Sequence, residues 1–182
     1  MLIKFKNHSP KLGQNVFVAE GAKIIGEIEI GDESSIWFNC VLRADVNFIK
    51  IGKRTNIQDL STVHVWHREF DEKGKLKDAG FPTIIGDDVT IGHNCVIHAC
   101  VIKNRVLIGM NAVIMDNALI EEDSIVGAGS VVTKGKKFPP RSLIFGNPAK
   151  FVRELNDEEV SFLKQSALNY VDFKNEFLKD LQ

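Results

Sequence analysis

The chain of 182 residues suits one compact domain with room for an appended element, and two full domains would be cramped. Hydrophobic residues make up 44% and charged residues 26%, which excludes intrinsic disorder and collagen-like chains. With 23 basic and 24 acidic residues the formal net charge is -1, so no broad basic footprint for nucleic acid is expected. The longest uncharged apolar run, Val106 to Met115, is about half of what a membrane-spanning helix needs, and Lys4 and Lys6 interrupt any signal-peptide core. Three cysteines cannot all pair within one chain, so reduced thiols are expected, in a soluble cytoplasmic protein with neither nucleic acid nor membrane as partner.

Along the chain one aliphatic position recurs every six residues. Leu12, Val18, Ile24, Ile30, Ile36 and Leu42 form the first run, followed after a three-residue offset by Ile51, Ile57 and Val63. The frame resumes at Ile85, Ile91 and Ile97, loses one residue, and continues through Ile102, Ile108, Ile114, Ile120, Val126, Val132, Phe138 and Ile144. Two residues before the aliphatic the chain usually carries a small side chain, such as Ala22, Cys40, Ser61, Cys95 or Ala112, which permits tight corners. Gly31, Gly52, Gly86, Gly92, Gly109 and Gly127 follow the aliphatic directly, where positive φ is expected to serve the turn.

Three six-residue sides make one triangular turn of a parallel β-helix, with the aliphatics pointing inward and stacking at ~4.8 Å. About twenty such positions imply roughly seven coils. The pattern resembles the left-handed β-helix of hexapeptide-repeat proteins, and that resemblance supplies the handedness. The expected class is therefore all-β: a left-handed parallel β-helix over residues 1–150, with a charged, non-periodic loop inserted near 66–82. Residues 151–182 take up a helical period, with Val160, Leu163, Ala167, Tyr170, Val171, Phe177 and Leu181 on the apolar side. Asn156 and Glu159 form a capping box at its start, and the amphipathic helix is expected to lie on the β-helix or on a neighbouring subunit.

The repeat gives the histidines a position. His64 follows Val63 and His98 follows Ile97, so both imidazoles point outward from the third sides of successive coils, close enough to share one metal with ~2.1 Å bonds. His93 follows Ile91 by two, around a corner of the prism, where a neighbouring subunit of a cyclic trimer would bring it to the ion. Three histidines with an open fourth position suit a catalytic site better than a structural one. Cys95 and Cys100 occupy small corner positions and are expected inside.

VLRAD (41 to 45), NIQD (56 to 59), VH (63 to 64) and IGHNCVIH (91 to 98) together are similar to gamma-class carbonic anhydrases, over nearly the whole chain. The resemblance implies a homotrimer that binds zinc, with iron(II) or cobalt as alternatives, through His64, His93 and His98. It implies Gln58 near the metal-bound solvent, Arg43 and Asp45 as a pair used between subunits, and Asn56 and Asp59 completing that motif. Tyr170 sits where related chains often carry a tyrosine near the active site, with core packing as the other reading. The founding type of the family carries a longer acidic loop with a glutamate proton shuttle; here His67, Glu69, Asp71 and Glu72 are the candidates.

The activity implied is reversible hydration of carbon dioxide to bicarbonate by a metal-bound hydroxide, since such a site lowers the pKa of water from ~15.7 to ~7. Two rivals stand beside it. GNPAK (146 to 150) resembles a segment of coenzyme A-dependent relatives, which points to a hexapeptide acyltransferase or acyl-CoA hydrolase. A trimeric metal-binding or assembly subunit without turnover is the other.

Overall fold

The computed structural model describes residues 1–180; Leu181, assigned above to the apolar side of the helix, lies outside them. The six-residue period folds as a parallel β-solenoid of about eight turns followed by one helix, close to the seven coils expected. Each side of a coil contributes a short strand, and strands one coil apart pair in parallel with a register of about eighteen residues. The second side shows this most regularly: Val18 pairs with Ile36, Ile36 with Ile57, Ile57 with Ile91, Ile91 with Ile108, and Ile108 with Val126. Strand residues alternate in direction, so every framed aliphatic points into the prism. Ile36, Ile57, Ile91, Ile108, Val126 and Ile144 are all 0% exposed, each contributing about 1.5–3 kcal/mol by burial.

The glycines that follow the aliphatics have a different role from the one expected. None of the six has a positive φ; the left-handed residue comes two positions later, at Glu33, Arg54, Asp88, Asn94, Asn111 and Gly129. The glycine is needed because the next coil lies directly against it. A Cβ on Gly52 would meet Asp87 Oδ1 at 2.2 Å and the Gly86 carbonyl carbon at 2.5 Å. Most left-handed corner residues are polar, and several pair between coils: Arg54 grips Asp88 at 2.6 and 2.7 Å, and Arg105 grips Asp123 at 2.6 and 2.9 Å.

The departures from the six-residue frame fall at one corner, between the third and first sides. Strands Lys23–Ile30 and Val41–Ile51 run through it, and Gly26 faces Ala44 while Ile28 faces Ile49. Residues 45–48 therefore bulge opposite Glu27, which accounts for the three-residue offset in the sequence. One coil later the insertion leaves from the same corner. It is less irregular than expected, because Glu69–Phe70 and Leu76–Asp78 form an antiparallel hairpin. Buried Asn47, in the bulge, donates to the carbonyls of Trp66 at 3.0 Å and Ala79 at 2.8 Å and so ties the two ends of the insertion together. In the next coil the lost residue is absorbed by Ala99 (φ 49), whose N–H reaches the His64 carbonyl at 3.0 Å.

A last hairpin, Ser142–Gly146 with Ala149–Glu154, closes the β-structure, and the helix runs Asp157–Asp180. Asn156 and Glu159 cap it reciprocally, with N to Oε2 at 2.9 Å and N to Oδ1 at 2.8 Å. It packs on the second side against Ser35–Ile36 and Thr90–Ile91, burying Leu163 and Ala167. Lys174, also fully buried, offsets the loss of hydration by donating to Glu33 at 2.7 Å and Asn175 at 2.6 Å. No helix of the described residues is long and apolar enough to cross a membrane.

Candidate metal centre

The irregular corner holds two of the three singled-out histidines. His64 and His98 are register partners on adjacent parallel strands, so their rings lie next to each other, tilted by 43° with centroids 5.1 Å apart. His64 Nδ1 faces His98 Nε2 at 3.1 Å. Each ring is held at its other nitrogen by an aspartate: His64 Nε2 lies 3.0 Å from Asp45 Oδ1, and His98 Nδ1 lies 2.5 Å from Asp116 Oδ1. Arg43 pairs with Asp45 from the strand preceding the bulge. Burial raises the Asp45 carboxyl, but its hydrogen bonds to His64 and Arg43 outweigh that and hold it below its ordinary value. Burial first, then Arg43 and His98, lowers the pKa of His64 against the opposing pull of Asp45, which favours the neutral ring that ligates metals.

His93 stands at the neighbouring corner, and its Nδ1 lies 2.7 Å from Asp59 Oδ2. All three histidines thus have a carboxylate at one nitrogen, and the second nitrogens of His64 and His98 face each other. Carboxylates commonly orient metal-ligating imidazoles in this way. Two nitrogens 3.1 Å apart also match a tetrahedral ion, on which ligands with ~2.1 Å bonds sit about 3.4 Å from each other. The donor set therefore fits a divalent metal of the zinc type. Among the described residues of the single chain, no three His, Cys, Asp or Glu side chains converge on one point. Cys95 and Cys100 are buried as expected; burial pushes the Cys95 thiol up to about 11 and Cys100 further, so both stay protonated.

The sequence model of the family described as Dynactin subunit 5 matches residues 12–175. The chain is 39% identical to a carbonic anhydrase of Geobacillus kaustophilus over 100% of its own length and 93% of the relative's. The chain belongs to the gamma carbonic anhydrase family. It is also 43% identical over 94% of its length to the mitochondrial gamma carbonic anhydrase 2 of Arabidopsis thaliana, of which it spans 59%. A hexapeptide transferase family protein from Anaplasma phagocytophilum superposes with a TM-score of 0.88 at 39% identity, covering 97% of this chain and 98% of that one.

In this member of the gamma carbonic anhydrase family, Gln58 and His93 share the wall of an apolar groove on the second side, with Leu107, Met110, Ile125 and Ser166. Gln58 and Asn56 are buried and bonded to each other, Nε2 to Oδ1 at 3.2 Å. Tyr170 belongs to the aromatic cluster under the helix, edge-on to Trp37 at 5.5 Å. Burial, and secondarily the Asp59 charge, raises its phenol pKa. Of the insertion residues, Asp71 is committed to its own turn, accepting from the Lys73 and Lys75 N–H groups at 2.9 Å each. Glu72 is exposed, whereas His67 lies in a surface hollow with Asp45 and Asn47, 3.5 Å from Glu69.

Two residues at the irregular corner escaped the sequence reading. Asp116 stands eighteen positions after His98 where the coil interval is seventeen, one residue past the register position, so the repeat alone pointed only to its neighbourhood. Trp66 lies edge-on to His98 at 6.4 Å and carries Lys134 over its ring at 5.5 Å.

Proposed function

We propose that the protein catalyses the reversible hydration of carbon dioxide as a homotrimer. In this reading His64 and His98 of one copy and His93 of the next hold a divalent metal, zinc or in its place iron(II) or cobalt. The observation that carries it is the shared arrangement of the three imidazoles, each engaged by one aspartate at one nitrogen, with the second nitrogens of His64 and His98 turned toward one another at 3.1 Å. Such a metal supplies a Lewis acid that brings the pKa of water from ~15.7 to ~7 and so makes a nucleophile available at neutral pH.

The chain's own groups do the rest. Asp45, Asp59 and Asp116 keep the proton on the nitrogen facing them, so the opposite nitrogen presents its lone pair. Leu107, Met110 and Ile125 give the groove beside His93 an apolar wall suited to a small nonpolar molecule. Gln58 hydrogen-bonds the reacting solvent or bicarbonate. The hollow shared by Asp45 and His67 supports a proton exit through His67 and Glu69.

The match to the family described as Dynactin subunit 5 favours a second reading, an assembly subunit that keeps the fold without turnover. Stopped-flow hydration assays from pH 7 to 9, on zinc-loaded protein and on iron-loaded protein prepared without oxygen, separate the two. Turnover that His93→Ala lowers at least about 100-fold supports the hydratase. Metal at one per chain with no turnover overturns it in favour of assembly, and acetyl-CoA binding by metal-free protein points to a transferase.

A further inference from the structure

A chain of hydrogen bonds crosses from the candidate site to the C-terminal helix. Gln58 Nε2 donates to Asn56 Oδ1 at 3.2 Å, Asn56 Nδ2 donates to Thr90 Oγ1 at 3.0 Å, and Thr90 Oγ1 lies 3.2 Å from Ser166 Oγ. Asn56, Gln58 and Thr90 are 1%, 5% and 5% exposed. They flank the inward-pointing Ile57 and Ile91, so their side chains leave the prism on the face where the helix packs. A polar group left unpaired at such depth costs about 1–3 kcal/mol, so the chain has little freedom to rearrange.

The Val89 carbonyl sets its direction. It can only accept, and it lies 3.4 Å from Asn56 Nδ2, which keeps the amide nitrogen on that side and turns Oδ1 toward Gln58. Gln58 must then donate through Nε2, which leaves its carbonyl oxygen, Oε1, for the groove it shares with His93. Thr90 Oγ1, accepting from Asn56, has its own proton free for Ser166.

We propose that Ser166, acting through Thr90 and Asn56, is a positioning residue that fixes the Gln58 side chain with its carbonyl oxygen toward the groove. The helix is thereby part of the site, and the site selects a ligand that offers an O–H at that point, water or the hydroxyl of bicarbonate, over a bare anionic oxygen. This rests on the role given to Gln58 above.

The test follows the Gln58 side-chain amide by NMR in the metal-loaded protein, its signals assigned by their loss in Gln58→Glu. In Ser166→Ala the amide pair should shift and exchange with water severalfold faster, and kcat for hydration should fall about tenfold with metal content and KM unchanged and the melting temperature lower by only a few degrees. Ser166→Thr should restore both. An amide pair that moves in neither Ser166→Ala nor Thr90→Val overturns the proposal. If the wild type shows no hydration but the amide pair responds, the positioning chain stands and the hydratase reading falls.

Discussion

His64 Nδ1 lies 3.1 Å from His98 Nε2 across one rung of the solenoid, so two potential metal ligands are fixed by backbone pairing rather than by flexible loops. Their positions are therefore set before any ion arrives. Behind His98 stands Asp116, whose side chain is only 13% exposed. His98→Ala is expected to lose most of the bound metal, and Asp116→Asn to weaken it about 10–100-fold, because the amide no longer holds the ring nitrogen as an anion does. Metal analysis after dialysis against graded chelator checks both. Wild-type occupancy in His98→Ala would remove that residue from the ligand set.

Coil stacking makes a separate demand at Gly52. Its added Cβ would sit 2.2 Å from Asp87 Oδ1 and 2.5 Å from the Gly86 carbonyl carbon, and backbone cannot step aside as the end of a side chain can. Gly52→Ala should cost about 2 kcal/mol or more in denaturant unfolding. Gly74→Ala is the control: nothing lies within 4 Å of its Cβ, and only its φ of +76° opposes the change. A loss no larger than that of Gly74→Ala would show that the coils part easily at Gly52.

The solenoid was legible in the sequence because each coil repeats one requirement, an aliphatic residue at a fixed interval filling the same layer of the core. Where the period breaks, the sequence tells that residues are added or lost but not what they form. The offset between Leu42 and Ile51 becomes a bulge only once Ile28 is seen opposite Ile49. Asp116 was hidden for a related reason: its partner is eighteen residues away, and an acidic residue at a solvent-facing corner is ordinary unless the coil below is known. The exchange of glycine for a polar residue at the left-handed positions was also out of reach, since Arg54 and Asp88 adopt them through a pairing visible only in three dimensions. Lys174, a charge on the packed side of the helix, contradicts the apolar spacing and is explained by its bonds to Glu33 and Asn175.

The start of the helix should loosen in acid. Glu159 receives both arms of Arg153 at 2.8 Å and the Asn156 N–H at 2.9 Å, and these, Arg153 foremost, bring its carboxyl from 4.5 to about 2. The ionised form is therefore favoured in the folded state. Its stabilising contribution is complete above pH 4.5 and fades as the pH falls from 4.5 to about 2. Glu159→Gln should melt below the wild type at pH 7, with the gap closing across that window. A gap that stays constant to pH 2 would show that charge at Glu159 is not what the cap depends on.

His93 stands around the corner from the His64 and His98 pair, and this sets the strictest test of assembly. If the site is shared, His93→Ala and His98→Ala homotrimers each lack one ligand at every interface. Mixed trimers differ, because a His93→Ala copy still offers His64 and His98, and a His98→Ala neighbour still offers His93. In an equal mixture an interface of that composition and orientation arises at about one position in four, so co-refolding should restore roughly a quarter of the wild-type tightly bound metal. Hydratase activity should return in the same proportion, since each restored interface is a complete site. Native mass spectrometry reports whether subunits have exchanged. Exchanged trimers with neither metal nor activity would mean that His93 does not complete its neighbour's pair.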